Sequence, residues 1–384
     1  MRFIFENIFF LVVTYAGAPL WYSVIFIRSC FGYNADAPRI LIIQSARIGD
    51  MVCITPVFRE IKKKYPKAYI ATLVAEPAVG VTLHNPFIDQ FYFYDTSNDI
   101  VASVLAFFQI KPLTYDYSFN FFPGKLGNAL PFWLGIPHRI TTKIDVSSRT
   151  LKLLFPFSNC QELYTKEESA PHHHLKLLRY IGISNPSDKR EVFTYPEADE
   201  KVANIFHTLA IDLSKKNIAV SVGCGKDFRK WPLERFVALA DRISAQYGAN
   251  IIFTGGDEDK DAIQQALSMM QHRNNVFDVS GKFSVAELPS FFKKISLFIS
   301  VSTGPLYIAD AMGCDTIDII GTDAATNQAP QGNTVIVERR EIAPCSYVMY
   351  PPTCSTQQIR DRMDISVNMV WDAVQKIYNK KYVQ

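Results

Sequence analysis

Asp50 is the first residue of the sequence whose type and position suggest chemistry. It follows Gly49 in a short loop between an apolar run, Ile40 to Ile43, and a segment of helical periodicity that Pro66 ends. Ligands of open α/β sheets bind where such loops leave the strands, and Gly49 places the Asp50 carboxylate at the mouth of this loop. Asp is also common at the first turn of a helix, where it accepts backbone hydrogen bonds, and the loop taken alone favours this second interpretation.

A cluster of cations follows a second buried strand. The run Asn217 to Val222 is typical of a strand, and it leads into a loop that contains glycine. Backbone amides and positive side chains in such a loop can converge on phosphate groups. The sequence therefore predicts a diphosphate site with four candidate residues, Gly225, Lys226, Arg229 and Lys230.

Two further loops could contact the same kind of ligand. Ser302, Thr303 and Gly304 follow an apolar strand and open a helix, where exposed amides and the helix dipole attract an anion. Asp257 follows a glycine pair after another strand. Its carboxylate either accepts hydrogen bonds from a ribose or only adds negative charge to the start of the next helix, and the residues do not separate these interpretations.

The elements that must position these loops alternate between strand and helix, which predicts an α/β fold with parallel, doubly wound sheets. A length of 384 residues favours two domains, and 48% hydrophobic with 20% charged residues is typical of a globular protein. A net charge of +3 without a basic stripe argues against a nucleic-acid partner. Seven scattered cysteines, an odd number, predict reduced thiols, and their spacing predicts no metal site.

The N-terminal segment is unusual because Asn7 to Ile27 carries no charge and has about the length that spans a bilayer. We interpret it as a membrane anchor, with Trp21 and Tyr22 near an interface. A cleaved signal peptide fits less well, because Pro19 would directly follow the cut and apolar residues continue beyond it. A buried core helix and a re-entrant hairpin kinked at Pro19 are the remaining alternatives.

Three motif clusters, in the same order, resemble glycosyltransferase family 9, the heptosyltransferases. They are RIGDMV followed by TP around Asp50, KWPLERF directly after Arg229, and STGPLY from Ser302. The resemblance covers Arg39 to about Ile377. It implies the α/β GT-B fold, in which two Rossmann-like domains face each other across a cleft, here with an added N-terminal hydrophobic segment.

The resemblance also implies roles for single residues. The Asp of the family's GD pair acts as catalytic base, and this residue is Asp50. Arg229 stands where the family places a phosphate-binding Lys, and Arg can bind phosphate in its stead. Ser302 replaces a usual Asp and Tyr307 a usual His. Because those positions face the donor in the family, the departures concern which sugar is carried, while the backbone anion site is retained.

Candidate acceptor-binding residues lie in the first domain. Asn120 stands near a strand end where the family usually has Asp, and Arg47 lies in the loop before Asp50. Lys125 and Arg139 belong to a basic group that would suit an acceptor bearing phosphate or carboxylate groups. An ordinary solvated surface explains the same basic residues equally well.

The domain organisation expected from these comparisons of motifs has five parts. They are an N-terminal anchor (1–38), an acceptor domain (39–170), a linker (171–196), a nucleotide-sugar domain (197–363) and a final helix that packs back across the linker (364–384).

The implied function is transfer of a heptose or related sugar from a nucleotide donor, expected to be ADP-linked, to lipopolysaccharide or another surface glycan. The transfer is expected to be inverting and metal-independent, without a cofactor. The expected partners are the nucleotide sugar, a glycolipid acceptor and the inner-membrane surface, at its cytoplasmic face. Two alternatives stay open: a GT-B transferase with a different nucleotide sugar, and a non-catalytic, membrane-attached binder of sugar nucleotides.

Overall fold

Two six-stranded parallel sheets carry the structure, one in each half of the chain. A computed structural model describes residues 2–30, 32, 34–94, 99–145, 148–225 and 227–382. The chain divides into two compact units, Met1–Arg190 and Glu191–Gln384. The predicted α/β fold class is therefore confirmed, with one doubly wound sheet in each unit.

The first sheet has the strand order β3-β2-β1-β4-β5-β6. Its strands are β1 Arg39–Gln44, β2 Tyr69–Ala75, β3 Gln90–Tyr94, β4 Tyr117–Asn120, β5 His138–Ile144 and β6 Cys160–Tyr164. Its helices are α1 Arg2–Cys30, α2 Ile48–Lys64, α3 Val79–Thr82, α4 Asp99–Gln109, α5 Lys125–Trp133, α6 Arg149–Leu154 and α7 Ala170–Lys176. Ile40 to Ile43 are fully buried, because a parallel sheet is covered by helices on both faces.

The order of this sheet creates a crevice at one edge. The chain moves outward from β1 through β2 and β3, then returns to the other side of β1 with β4. Loops that leave the carboxyl ends of β1 and β4 therefore run in opposite directions, which is where open α/β sheets bind ligands. The loop before Asp50 leaves β1 at this point, and Asn120 is the last residue of β4.

The second sheet repeats this topology with the order β12-β11-β10-β7-β8-β9. Its strands are β7 Asn217–Ser221, β8 Asn250–Thr254, β9 Val276–Asp278, β10 Leu297–Val301, β11 Asp315–Ile320 and β12 Thr334–Glu338. Its helices are α8 Pro196–Thr208, α9 Leu233–Tyr247, α10 Lys260–Met269, α11 Leu288–Phe292, α12 Gly304–Ala311, α13 Thr356–Met363 and α14 Val367–Tyr382. Here the crevice opens between β7 and β10, whose following loops contain Arg229 and Ser302 respectively.

The segments expected to link the domains pack within the units. Helix α7 lies in the region predicted as a linker and packs against α2 of the first unit. Helix α14 packs against α9, β11 and β12, and Trp371 is buried in the core of the second unit. The boundary between the two compact units thus falls between Arg190 and Glu191, inside the predicted linker of residues 171–196.

The N-terminal helix α1 is docked on the first unit. Phe10 is fully buried and stacks on Trp133, whose indole Nε1 donates to the hydroxyl of Thr14 at 3.0 Å. The helix continues without interruption through Pro19, so the re-entrant hairpin that we considered is not what forms. Among the described helices, its segment Phe5–Cys30 is long and apolar enough to cross a membrane, judged by length and composition only.

Cys345 and Cys354 form a disulfide, which corrects our expectation of reduced thiols. The odd number of cysteines in the sequence does not reveal that the chain between Cys345 and Cys354 turns back on itself. Thr353 donates its backbone N–H to the carbonyl of Cys345 at 2.9 Å, which brings the two Cα atoms within 5.0 Å. The bridge closes a loop next to Ser346, whose role is described below.

Removal of this bridge should destabilise the second unit. The Cys345→Ser/Cys354→Ser variant is expected to lose about 2–3 kcal/mol of unfolding free energy, because a cross-link of this loop length restricts the unfolded chain by that amount. Urea unfolding without reductant measures the difference, and Cys224→Ser serves as the control for loss of a thiol. Equal stability of the double variant and the wild type would contradict the assignment.

Candidate functional site

Asp50 occupies the third position of α2, at the carboxyl end of β1. One carboxylate oxygen accepts the backbone N–H of Arg47 at 3.1 Å, so Asp50 holds the start of the helix as the second interpretation of the sequence expected. This bond also orients the side chain, which is half-buried in the crevice region of the first sheet. An anchored carboxylate at this edge of the sheet can still accept a proton, so the two interpretations are compatible.

Of the four candidate acceptor residues, two lie at the same edge as Asp50. Arg47 is exposed in the loop after β1. Asn120 is buried at the end of β4, where its amide nitrogen donates to Thr141 Oγ1 at 2.9 Å. The amide oxygen of Asn120 has no hydrogen-bond partner in the part of the chain that the structure describes. A buried acceptor atom without a partner is unusual in a folded protein, which marks this edge of the sheet as a candidate site.

Lys125 and Arg139, the other two candidates, make contacts inside the first unit. Lys125 forms a largely buried ion pair with Glu6, 3.0 Å between Nζ and Oε2, and so fastens helix α1. Arg139 is 4% exposed, and its guanidinium donates to the backbone carbonyls of Phe157 and Pro137. Burial lowers the pKa of Arg139 to about 10. A positive charge in a sequence does not reveal whether its side chain points inward, and the acceptor role of these two residues stays a prediction.

Arg229 lies in the loop after β7, and contacts with two other loops hold its side chain in place. Its Nη2 contacts Asp323 Oδ1 at 2.6 Å and Ser346 Oγ at 3.3 Å, which joins three loops. Its Nε is buried without a hydrogen-bond partner among the described residues. The guanidinium is thus held firmly while keeping a donor unused, which suits an anionic ligand.

The other three candidates of this loop are less constrained. Gly225 is exposed, and Lys226 lies outside the described residues. Lys230 is exposed and pairs with Asp227 at 2.8 Å, which raises the pKa of the lysine. An exposed ion pair of this kind contributes little to stability and can exchange for a ligand at low cost.

The loop after β8 presents a different carboxylate from the one that the sequence suggested. Asp257 is exposed and pairs with Lys260 at 2.6 Å. Asp259 instead faces inward and accepts the N–H of Gly256 at 3.0 Å. A Cβ at Gly223 would come within 2.4 Å of the Asp259 carboxylate, so the glycine admits it between the two loops. Burial raises the pKa of Asp259. The sequence signal for Asp259 was its position three residues after Gly256, a spacing typical of the start of a helix.

Two residues depart from the family pattern here: Ser302, in the loop after β10, and Tyr307, in the following helix α12. Their side chains are in contact. The Tyr307 hydroxyl lies 3.4 Å from Ser302 Oγ and donates to the carbonyl of Gln328 at 2.8 Å. Thr303 precedes α12, and its Oγ1 is buried without a hydrogen-bond partner among the described residues. Gly304 is the first residue of α12. The start of α12 therefore offers helix amides together with an unused hydroxyl, which is a suitable site for an anion.

Asp318 lies beneath this loop and was missed by the sequence analysis. It is fully buried in the middle of β11, and neither carboxyl oxygen has a hydrogen-bond partner of normal geometry among the described residues. Burial, and then the nearby Asp323 and Glu338, raise the pKa of Asp318 well above its usual range, while the neighbouring Ser302 side chain opposes the shift. The signal that could have found it is an acidic residue between the apolar residues Ile317 and Ile319 of the strand DTIDII.

Asp318→Asn is expected to change how stability depends on pH. The folded state holds a proton that the unfolded state releases, so stability from Asp318 is complete below the unfolded pKa near 4 and is lost as pH rises toward the folded pKa. The loss amounts to at most about 1.4 kcal/mol per pH unit. The amide carries no charge at any of these pH values, so the variant should gain stability relative to the wild type between pH 5 and 8.

Urea unfolding at pH 5, 6, 7 and 8 measures this difference. The exposed Asp372→Asn on α14 is the matched control and should follow the wild type. Parallel stability curves for Asp318→Asn and the wild type would show that Asp318 is ionised in the folded protein.

Metal-binding potential can be judged only for the described residues. Among them, no group of three or more His, Cys, Asp or Glu side chains is arranged to hold a metal ion. Taken separately, the first unit offers the Asp50 carboxylate at the edge of its sheet. The second unit offers cationic and backbone anion-binding groups at the edge of its own sheet.

Solved structures share this architecture. A family 9 glycosyltransferase from Veillonella parvula superposes with a TM-score of 0.74 at 19% identity, covering 90% of this chain and 98% of that one. The E. coli heptosyltransferase WaaC, solved with ADP, superposes with a TM-score of 0.64 at 16% identity, covering 88% and 99% respectively. The fold is therefore GT-B, with two Rossmann-like units.

The sequence itself narrows the class to one family. The family description "Glycosyltransferase family 9 (heptosyltransferase)" matches residues 119–347, more than half of the chain. The chain belongs to this family and is a glycosyltransferase. It is also 23% identical to the lipopolysaccharide core heptosyltransferase OpsX of Haemophilus influenzae over 304 residues, 78% of this chain and 83% of that protein.

Proposed function

We propose that the protein transfers a heptose or a related sugar from an ADP-linked donor to a lipopolysaccharide-type acceptor. The family and the similarity to a lipopolysaccharide core heptosyltransferase support the sugar and the acceptor class. The structure of WaaC with ADP supports the nucleotide. We propose further that the transfer inverts the anomeric configuration and needs no metal ion.

The observation that carries the proposal is the placement of Asp50 at the switch point of the first sheet. There its carboxylate accepts a proton from the acceptor hydroxyl as that oxygen attacks the anomeric carbon of the donor. A bond forms between the acceptor oxygen and the sugar, while the bond between the sugar and the diphosphate breaks. Attack on the side opposite the leaving group inverts the anomeric configuration. Arg47 and Asn120, at the same edge, are proposed to contact the acceptor.

The second unit is proposed to stabilise the departing diphosphate. Arg229 supplies a fixed positive charge with an unused Nε donor, and Thr303 supplies a buried hydroxyl at the start of α12. The amide of Gly304 and the positive end of the helix dipole add to this field. Fixed cations and amides can neutralise the charge that a metal ion neutralises in other transferases, which is why we propose a metal-independent reaction. Lys226 and Lys230 would add charge, and Asp257 would bind the ribose.

A donor comparison tests the proposal. Purified protein is incubated with ADP-, UDP- and GDP-linked sugars and with lipopolysaccharide extracted from a strain that lacks core heptose. We expect turnover with ADP-heptose, a product of inverted anomeric configuration by NMR, and activity unchanged by EDTA. Retained configuration or loss of activity with EDTA would overturn the finer features, and absence of transfer with every sugar would overturn the reaction itself.

The alternative of a different nucleotide sugar has one observation in its favour. Ser302 and Tyr307, which replace the usual Asp and His, contact each other, and Tyr307 is buried. These two positions therefore present different groups toward the site than the family pattern does. Preferred turnover of a UDP- or GDP-linked sugar in the same comparison would favour this alternative. Donor binding without turnover of any sugar would favour the non-catalytic binder.

A further inference from the structure

Helix α1 presents an apolar face to solvent although its other face is docked. Phe26 is 71% exposed and Leu20 is 64% exposed. The outward positions share large apolar side chains and follow one another along the whole helix: Phe5, Ile8, Val12, Leu20, Phe26 and Ile27. An exposed apolar surface of this extent marks a site of interaction with a membrane or another protein.

The docking contacts oppose one use of this helix, namely crossing the bilayer. Glu6 pairs with Lys125 near its start, and Arg28 pairs with Asp116 at 3.1 Å near its end. These two attachments lie about 33 Å apart along the helix, the rise of 22 residues, which is about the thickness of the hydrocarbon core. To cross, α1 would have to separate from the first unit along this length, and its charged ends would lose both partners.

The apolar face continues beyond α1. Helices α4 and α6 both pack beside α1, and each exposes apolar side chains of its own. Phe108 on α4 is 78% exposed, and Leu105 and Leu153 are also exposed. Trp21 of α1 contacts Phe107 of α4 edge to face at 6.3 Å, so the helices form one surface. We call the exposed apolar residues of α1, α4 and α6 the docking face.

Charge indicates what covers the docking face. The helix carries no charged residue between Glu6 and Arg28, and both of these side chains are paired toward the protein. Exposed basic residues follow the apolar part of α4 and stand on α6, at Lys111, Arg149 and Lys152, and Asp145 is the exposed acidic residue close to them in sequence. An uncharged apolar face with a basic border complements the interface of an anionic bilayer.

We propose that the docking face inserts into the interfacial region of an anionic lipid bilayer, with α1 parallel to the membrane plane. In this arrangement α1 remains attached to the first unit and enters the membrane only to the depth of its outward side chains, about 5–10 Å. The protein is thereby held at the surface in which a glycolipid acceptor resides. The inference depends on the packing of α1 and not on the reaction proposed above.

Vesicle binding by the full-length protein tests the proposal. Binding to phosphatidylethanolamine/phosphatidylglycerol vesicles is measured by sedimentation and compared with phosphatidylcholine vesicles. Leu20→Gln/Phe26→Gln/Phe108→Gln should lower the partition coefficient about 100-fold, because three apolar side chains no longer enter the interface. The control Leu83→Gln/Leu213→Gln/Met269→Gln alters exposed apolar residues elsewhere and should bind as the wild type does.

Depth measurements distinguish a parallel helix from a crossing one. A fluorophore on Ala16→Cys or Phe26→Cys, each in a Cys30→Ser background, is quenched with lipids that carry nitroxides at different depths. A parallel helix predicts the same shallow depth at both positions, whereas a crossing helix predicts a much greater depth at position 16. Unequal depth, unchanged binding of the triple variant, or a dimer that the triple variant abolishes would overturn the proposal.

Turnover with a short, water-soluble acceptor separates this proposal from the function proposed above. The triple variant should keep the wild-type rate on such an acceptor, since none of its three positions lies in a loop that binds substrate. Loss of vesicle binding with retained turnover supports the docking face. A wild type without turnover but with the expected vesicle binding would leave the docking face standing and refute only the reaction.

Discussion

Asp50→Asn is expected to lower kcat by about three orders of magnitude while leaving donor affinity within about twofold. Removal of a general base costs a factor of this size, and the amide cannot accept the proton. The side-chain oxygen of Asn can still accept the N–H of Arg47, so the start of α2 should be preserved. Initial rates with ADP-heptose and heptose-free lipopolysaccharide give kcat, and calorimetric titration with ADP gives affinity.

The controls for Asp50 separate chemistry from folding. Asp36→Asn removes an exposed carboxylate near β1 and should leave rate and stability unchanged. The melting temperature of Asp50→Asn should also equal that of the wild type. If the variant retains more than a tenth of the wild-type rate, or if weaker donor binding accounts for the loss, Asp50 is only a helix-capping residue.

Arg229→Met is expected to lower kcat/KM with the nucleotide sugar by about 100- to 1000-fold. Deletion of one fixed group that stabilises charge in the transition state has an effect of this size. The Met side chain fills similar space but leaves the departing diphosphate without the charge and without the Nε donor. Steady-state release of the nucleoside diphosphate, measured with a coupled assay, gives the rate.

Three comparisons test whether Arg229 acts on the ligand or only holds its neighbours. Arg229→Lys, which restores the residue usual in the family, should recover most of the activity because a positive charge remains. The exposed Lys230→Met should cost less than tenfold. Asp323→Asn added to Arg229→Met should relieve the carboxylate left without its partner, and so raise stability without restoring the rate. Recovery of the rate in that double variant would assign Arg229 a purely structural role.

Much of the fold could be predicted because its signals are local. The apolar run Ile40 to Ile43 lies within strand β1 Arg39–Gln44, and the predicted strand Asn217 to Val222 corresponds to β7 Asn217–Ser221. Parallel pairing also follows from the alternation of strands with helices. The resemblance to family 9 was confirmed, and with it the GT-B fold.

The candidate site was less predictable, because side-chain burial and pairing depend on residues far apart in sequence. Arg229 meets Asp323 and Ser346, which are 94 and 117 residues away. Lys125 was expected to bind acceptor, but its partner Glu6 lies in an added N-terminal segment. Asp318 attracted no attention because the sequence does not show that the surroundings of its carboxylate are closed to solvent.

The sequence by itself determined the alternation of elements, the family and the position of Asp50 at the start of the helix that follows a buried strand. Each of these depends on residues within one turn or one motif. The tertiary structure decided what the charged residues do. Strand order brings loops from distant parts of the chain to one edge of each sheet, and burial then determines which charges are held inside. The same packing decided that α1 lies against the first unit, which its composition alone left open.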